Sequence, residues 1–333
     1  MRAIFYDSQG PARDVLRFGE LPRPRVGAGE VLVRVHVSAV NPSDVKNRTG
    51  FTGPMRYARI VPHQDGAGVV EAVGAGVTPE RIGERVWIYE AQTGRAAGTA
   101  AEYVAVPARN AVPLPEAVSF EVGATLGVPA MTAHRCLFAD GGLEGRRVLV
   151  HGGAGAVGTA AIQLATWNGA EVVATVRRAE QVDAARRAGA ESVLVTGSMD
   201  TANLRTALGG RGADRIVDVA LNENLDVDLA ALADGGVISA YATASPTDEV
   251  CVPMVRAMVA NAAVRFVYVY TVPAQGKAAA VADIGDCLRD GGLRPRIGLV
   301  VPLERTVDAH LAVEAGAAAG RVLIRVADDQ ADE

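Results

Sequence analysis

The chain has 333 residues, of which 49% are hydrophobic, 21% charged and 5% aromatic. That much apolar mass buries a large core and excludes a disordered, collagen-like or disulfide-stapled miniature protein. A formal net charge of −5 and five scattered histidines argue against nucleic acid as a partner and against a metal-centred protein.

Reading from the N-terminus, MRAIFYDSQG lacks the apolar stretch of a signal peptide, and no apolar run reaches membrane-spanning length. Cys136, Cys251 and Cys287 are far apart and odd in number, which fits free thiols in a reducing compartment. A cytoplasmic protein that does not enter membranes is expected. Segments 30–37, 69–74 and 85–89 alternate apolar and polar residues like half-buried strands, broken by Gly and Pro. A β-rich lobe therefore occupies residues 1–122.

From about 117 the period changes. An alanine-rich helix over 120–138 should break at Pro129. Short strands at 148–150, 171–176, 192–195, 215–219, 237–240 and 264–270 then alternate with helical stretches, including 157–167 and 179–188. This pattern predicts a doubly wound parallel sheet over 123–270. A helix at 277–289, a strand near 297–301, a helix from Glu304 and a last strand at 321–326 are too few to fold alone. Residues 271–333 are expected to return to the first lobe, ending in a solvated acidic tail, ADDQADE.

The strongest motif follows the strand 148–150: His151, Gly152, Gly153, Ala154, Gly155, Ala156, Val157, Gly158. Gly153, Gly155 and Gly158 are in G-x-G-x-x-G phase, for a tight turn, close approach of backbone to a pyrophosphate, and close helix–strand packing. The amides at the start of the next helix suit phosphates. An NAD site usually carries an acid at the end of the second strand, but here that strand runs into Arg177 and Arg178. Guanidinium groups suit a 2′-phosphate, so NADPH is favoured over NADH.

With these elements in place the chain resembles the medium-chain dehydrogenase/reductase superfamily, in its zinc-free quinone oxidoreductase (zeta-crystallin-like) branch. The matching segments are VNPSDVKNRTG (40–50), VPHQDGAGVV (61–70), GTAAEY (98–103), GVPAMTA (127–133), the glycine turn and 316–326. The resemblance implies an α/β protein with a GroES-like catalytic domain (1–122 plus 271–333) and an inserted Rossmann NADPH-binding domain (123–270). It also implies a site in the cleft between them and a homodimer through the 264–270 strand.

It further implies roles for individual residues. The zinc-ligand positions of the family's alcohol dehydrogenases fall on Asn41, Gln64 and Val128, and no four-cysteine lobe is present, so no metal is expected. Hydride would then pass from NADPH to an acceptor that is already electrophilic, a quinone or an α,β-unsaturated carbonyl. Asn41 would donate to the acceptor oxygen, with Asp44 and Arg48 tuning Lys46. Lys46, one of only two lysines in the chain, bonds ribose or the acceptor oxygen or supplies a proton; the alternative is a surface ion pair of Asp44 with Lys46 or Arg48. Thr132, Thr196, Tyr241 and Val269 complete the expected cofactor contacts. His63, where the family commonly has Gly, and His134 are read as structural. Two other functions remain open at this stage. One is an enoyl-thioester or alkenal reductase, with Arg48, Arg56 and Arg59 forming a basic groove. The other is a low-turnover NADPH-binding protein.

Overall fold

The computed structural model describes residues 1–198 and 200–327; all but the first residue of the acidic tail lies outside them. The chain divides into two compact units, one made of Met1–Val128 and the segment from Pro295, the other of Pro129–Arg294.

The first unit opens with β1 (Arg2–Phe5), helix α1 (Ala12–Val15) and β2 (Arg17–Glu20), which pairs antiparallel with β1. Then come β3 (Glu30–Val40), α2 (Pro42–Thr49), β4 (Asp65–Val73), β5 (Arg85–Ile88), β6 (Tyr103–Pro107), β7 (Ala111–Pro113) and α3 (Phe120–Gly123). β3 organises the sheet. It is buried along most of its eleven residues, pairs with β4 on one side, and on the other with β6 through its first half. Each fully buried Val or Leu there contributes about 1.5–3 kcal/mol.

The second unit begins with most of α4 (Val128–Phe138). The expected break in the 120–138 helix falls at residues 124–127, so Pro129 lies in the first turn of a new helix, where its missing N–H costs nothing. β8 (Arg147–Val150), α5 (Ala156–Trp167), β9 (Glu171–Val176), α6 (Val182–Ala188), β10 (Ser192–Val195), α7 (Thr201–Ala207), β11 (Ala213–Asp218), α8 (Leu221–Ala231), β12 (Leu232–Ala240), α9 (Met254–Val259) and β13 (Ala263–Phe266) follow. The sheet is parallel throughout, in the order β10-β9-β8-β11-β12-β13. The chain winds outward from β8 to β10, then returns to β11 on the other side. The crevice between β8 and β11 is therefore the topological switch point, where such sheets bind nucleotides.

The first unit runs on to Val128 rather than ending at 122, and two further boundaries differ from the sequence reading in ways that bear on the division of the chain. The last strand of this sheet ends at Phe266, because Val269–Thr271 turns into a short 3₁₀ segment. Helix α10 (Ala274–Arg289) belongs to the second unit rather than to the return segment. It buries Ala280, Ile284, Cys287 and Leu288, and α5 reaches the chain just beyond it: Trp167 Nε1 donates to Asp290 Oδ2 at 2.9 Å and Gln163 Nε2 to the Arg294 carbonyl at 3.1 Å. The return to the first unit is β14 (Ile297–Pro302), α11 (Thr306–Glu314) and β15 (Arg321–Arg325). β15 pairs antiparallel with the second half of β3, Val322 opposite Val40. Among the described residues no helix is long and apolar enough to cross a membrane.

Candidate active site

In the first unit the chemistry gathers where β3 gives way to α2. The β15–β3 register places Arg321 opposite Asn41, and the β3–β4 register places Asp65 opposite Ala39. Three distant segments thus bring a guanidinium, an amide and a carboxylate together. Arg321 Nη1 donates to Asn41 Oδ1 at 2.8 Å, and Asn41 Nδ2 donates to Asp65 Oδ2 at 2.8 Å. The Val128 N–H donates to both Asp65 oxygens at 2.9 Å. A Cβ on Gly127 would lie 2.1 Å from Asp65 Oδ1, so only glycine lets this backbone dock on the carboxylate. Asn41 begins α2, and its own N–H donates to Asp44 Oδ2 at 2.7 Å.

Burial dominates the electrostatics. Burial, which favours the neutral carboxylic acid, pushes Asp44 up to about 8 against the pull of the Asn41 amide. Burial also raises Asp65, to about 6, while Arg321 pulls it down. Asp44 is therefore not half of a surface ion pair. The Lys46 ammonium lies 4.4 Å from the centroid of the Phe51 ring. Arg48 is also fully buried, bound to the Gly10 carbonyl, to His310 and to Glu314. It cannot line a basic groove, and Arg59 is neutralised by Asp7 at 2.7 Å. The groove expected of an enoyl-thioester reductase loses two of its three arginines.

The residues at the zinc-ligand positions are also engaged. Arg321 occupies the Asn41 oxygen, and the Gln64 oxygen accepts from the Gln92 N–H at 3.2 Å and from Thr93 Oγ1 at 3.0 Å.

In the second unit the glycine turn follows β8 as expected, with one difference of detail. The left-handed residue is Gly152 (φ 68°), while Gly153 is packed against Ala174 and Ile162. A Cβ on Gly158 would lie 2.2 Å from the Gly152 carbonyl, which is why the helix can start so close to the strand. Ala154 and Val157 are half-buried, while Gly155 and Ala156 are exposed at the N-terminus of α5, where the first amides have no intrahelical acceptor. Anionic phosphates fit this cradle. Arg177 and Arg178 emerge exposed from the end of β9, with Arg178 paired to Glu180 at 2.7 Å. Thr196 is exposed beyond β10, and Tyr241 is half-buried just after β12. Thr132 and Val269 are buried, in α4 and the 3₁₀ turn.

Beside the turn, sequence reasoning gave no role to His151 and did not single out Asp218 or Asp228. His151 donates to Asp228 Oδ1 at 2.8 Å through Nε2 and bonds Thr175 at 2.9 Å, while Asp218 closes β11 at the switch point. Burial, strengthened by Asp218 and opposed by His151, lifts Asp228 to about 7. His134 bonds Asp283 of α10 at 2.7 Å, in keeping with a packing role. Asp65 and Arg321 were missed as well. Asp65 stood in a quoted segment, but one more arginine in an arginine-rich chain carried no signal.

A GroES-like sheet with a Rossmann unit built around a phosphate cradle defines a nucleotide-dependent dehydrogenase or reductase. Residues 27–116 match the alcohol dehydrogenase GroES-like domain family and residues 156–284 the zinc-binding dehydrogenase family. The quinone oxidoreductase of Rattus norvegicus is 33% identical over 248 residues, 71% of each chain. A solved quinone oxidoreductase of Thermus thermophilus, also known in complex with NADPH, is 29% identical with a TM-score of 0.79, covering 98% of this chain and 100% of that one. A solved NAD-dependent alcohol dehydrogenase is 28% identical with a TM-score of 0.87 over the same shares. The chain belongs to the medium-chain dehydrogenase/reductase superfamily, in its quinone oxidoreductase branch.

Proposed function

We propose that the protein is an NADPH-dependent reductase of quinones, or of closely related α,β-unsaturated carbonyls, working without zinc. The observation that carries the cofactor choice is the end of β9, where Arg177 and Arg178 stand in place of an acid. The exposed amides of Gly155 and Ala156 would hold the pyrophosphate, and the two guanidiniums the 2′-phosphate. Thr132, Thr196, Tyr241 and Val269 are the further contacts this reading assigns. NADPH, when bound, supplies the hydride.

The chain's own task is to fix the acceptor and answer the charge that develops on its oxygen. Asn41 is suited to this, because one amide hydrogen is committed to Asp65 and Arg321 polarises the amide through its oxygen. Asn41 is 1% exposed, which confines the role to its remaining amide hydrogen. Lys46, in the same helix, is the candidate proton source for an enone, whereas solvent suffices for a hydroquinone anion. The amide oxygens of Asn41 and Gln64 already accept hydrogen bonds and the Val128 side chain has no atom that can ligate a metal, which supports chemistry without a Lewis acid. A cytoplasmic homodimer completes the reading. The free edge of β13 and the neighbouring α9 expose Phe266 (71%), Met254 (71%) and Val259 (79%), an apolar face suited to a second copy.

Dissociation constants test the cofactor assignment. NADPH should bind at least about tenfold tighter than NADH, since a charge-assisted hydrogen bond contributes about 1.5–3 kcal/mol. The variant Arg177→Ala/Arg178→Ala should lose that preference while binding NADH as before. Equal affinities in the wild type would overturn the assignment.

A further inference from the structure

Two histidines from opposite ends of the chain meet inside the GroES-like unit. His63 Nε2 and His310 Nε2 lie 2.9 Å apart, their rings stacked with centroids 5.2 Å apart, and both side chains are fully buried. Two facing ring nitrogens make one hydrogen bond only when one donates and the other accepts. The neighbours decide which.

Arg48 Nε, which can only donate, reaches His310 Nδ1 at 3.4 Å. His310 Nδ1 therefore accepts, its proton sits on Nε2, and it donates to His63 Nε2. His63 must then carry its proton on Nδ1, which donates to Ser38 Oγ at 2.9 Å. The Ser38 hydroxyl donates to Thr99 Oγ1 at 2.7 Å, and the Thr99 hydroxyl to the Asp65 carbonyl at 2.6 Å, a group that can only accept. An obligate donor stands at one end and an obligate acceptor at the other, so the whole chain has a single polarity.

The backbone gives this chain a purpose. His63 has φ 83°, a left-handed conformation that non-glycine residues rarely take. Its carbonyl accepts from the Thr99 N–H at 3.1 Å, and its ring is anchored at both nitrogens. The residues that follow are Gln64 and Asp65, so the turn at His63 aims the start of β4 and with it the carboxylate that holds Asn41.

We propose that His63 and His310 are positioning residues: a neutral pair of opposite tautomers that holds the turn into β4 and so fixes Asp65 against Asn41. The charged group in contact with the pair is Arg48 of α2, and Glu314 of α11 is bound to that arginine. Glu314 neutralises Arg48, so the arginine can orient the pair without drawing an anion into it. Burial, reinforced for His310 by His63 and Arg48, disfavours a charged ring at either position.

The kinetic consequence rests on the reductase reading, but the tautomer assignment does not. Long-range proton–nitrogen NMR of the labelled full-length protein at pH 7 resolves five histidines, assigned with His63→Gly and His310→Gln. His63 should be the Nδ1–H tautomer and His310 the Nε2–H tautomer, both neutral. The opposite tautomers, or an imidazolium at either position, would overturn the pair. In turnover of NADPH with a quinone, His310→Leu strips Arg48 Nε and His63 Nε2 of their partner. It should slow kcat by roughly 10- to 100-fold with NADPH affinity unchanged, the scale of a small misplacement at a reacting centre. His310→Gln keeps an acceptor for Arg48 and a donor for His63, and should restore most of the rate. A glutamine variant as slow as the leucine variant, or a leucine variant as fast as wild type, overturns the positioning role. Absence of turnover in the wild type would sink the reductase reading alone, and the tautomers would still decide the pair.

Discussion

Asp44 sits in an eight-residue helix whose composition looks solvated, yet both it and Arg48 are buried there. A charge-rich PSDVKNRT segment gives no sign of this, because the burial comes from α11 and β15, more than 250 residues away. Burial has a consequence for stability. The folded pKa of Asp44, about 8, lies above the ordinary value of 3.8, so the folded state keeps a proton that the unfolded chain releases. Its contribution is full below about pH 3.8 and is lost as the pH rises through about 8. His63, held down at about 3, works in the other direction, and stability falls as the pH drops below 6.5. Asp44→Asn mimics the neutral acid and still accepts from the Asn41 N–H. Its melting temperature should lie closest to wild type near pH 4 and exceed it by a margin that grows as the pH rises towards 8. Melting curves that stay parallel across that range would show that Asp44 is ionised in the folded protein.

The secondary-structure elements were read most successfully where one local pattern decides them. Strands β9 and β10 fall on the segments that sequence periodicity marks, and the glycine turn opens α5 one residue earlier than expected. β13 was read four residues too long, because Val267 and Val269 are buried without belonging to the sheet, and apolarity alone does not tell a strand from a packed turn. The turn itself separates two kinds of glycine requirement. Gly158→Ala drives a Cβ to 2.2 Å from the Gly152 carbonyl, a backbone atom that cannot swing away. It should cost about 1–3 kcal/mol and lower the melting temperature even without NADPH. Gly155→Ala meets the same carbonyl at 3.2 Å on an exposed face, so it should melt close to wild type yet bind NADPH more weakly. Melts of both variants with and without the cofactor check this, and identical behaviour would mean the turn does not discriminate packing from phosphate approach.

At the scale of the molecule, α/β alternation exposed the parallel sheet, and the motifs along 40–133 exposed the family. What stayed hidden was long-range pairing. The antiparallel register of β15 on β3 brings Arg321 to Asn41, and no local signal at position 321 announces it. The same holds for α10, whose place in the second unit depends on packing against α5, and on bonds from α5 to the chain just beyond it, that only the folded chain defines. The proposed activity is zinc-independent reduction of quinones by NADPH. It is tested most directly by following NADPH oxidation with a simple naphthoquinone, using purified protein treated with EDTA and then freed of the chelator. Catalysed oxidation is expected, unchanged by the treatment and faster with NADPH than with NADH at low cofactor concentration. A rate no higher than that of the enzyme-free mixture, or activity lost with the chelator and restored by stoichiometric zinc, would contradict it.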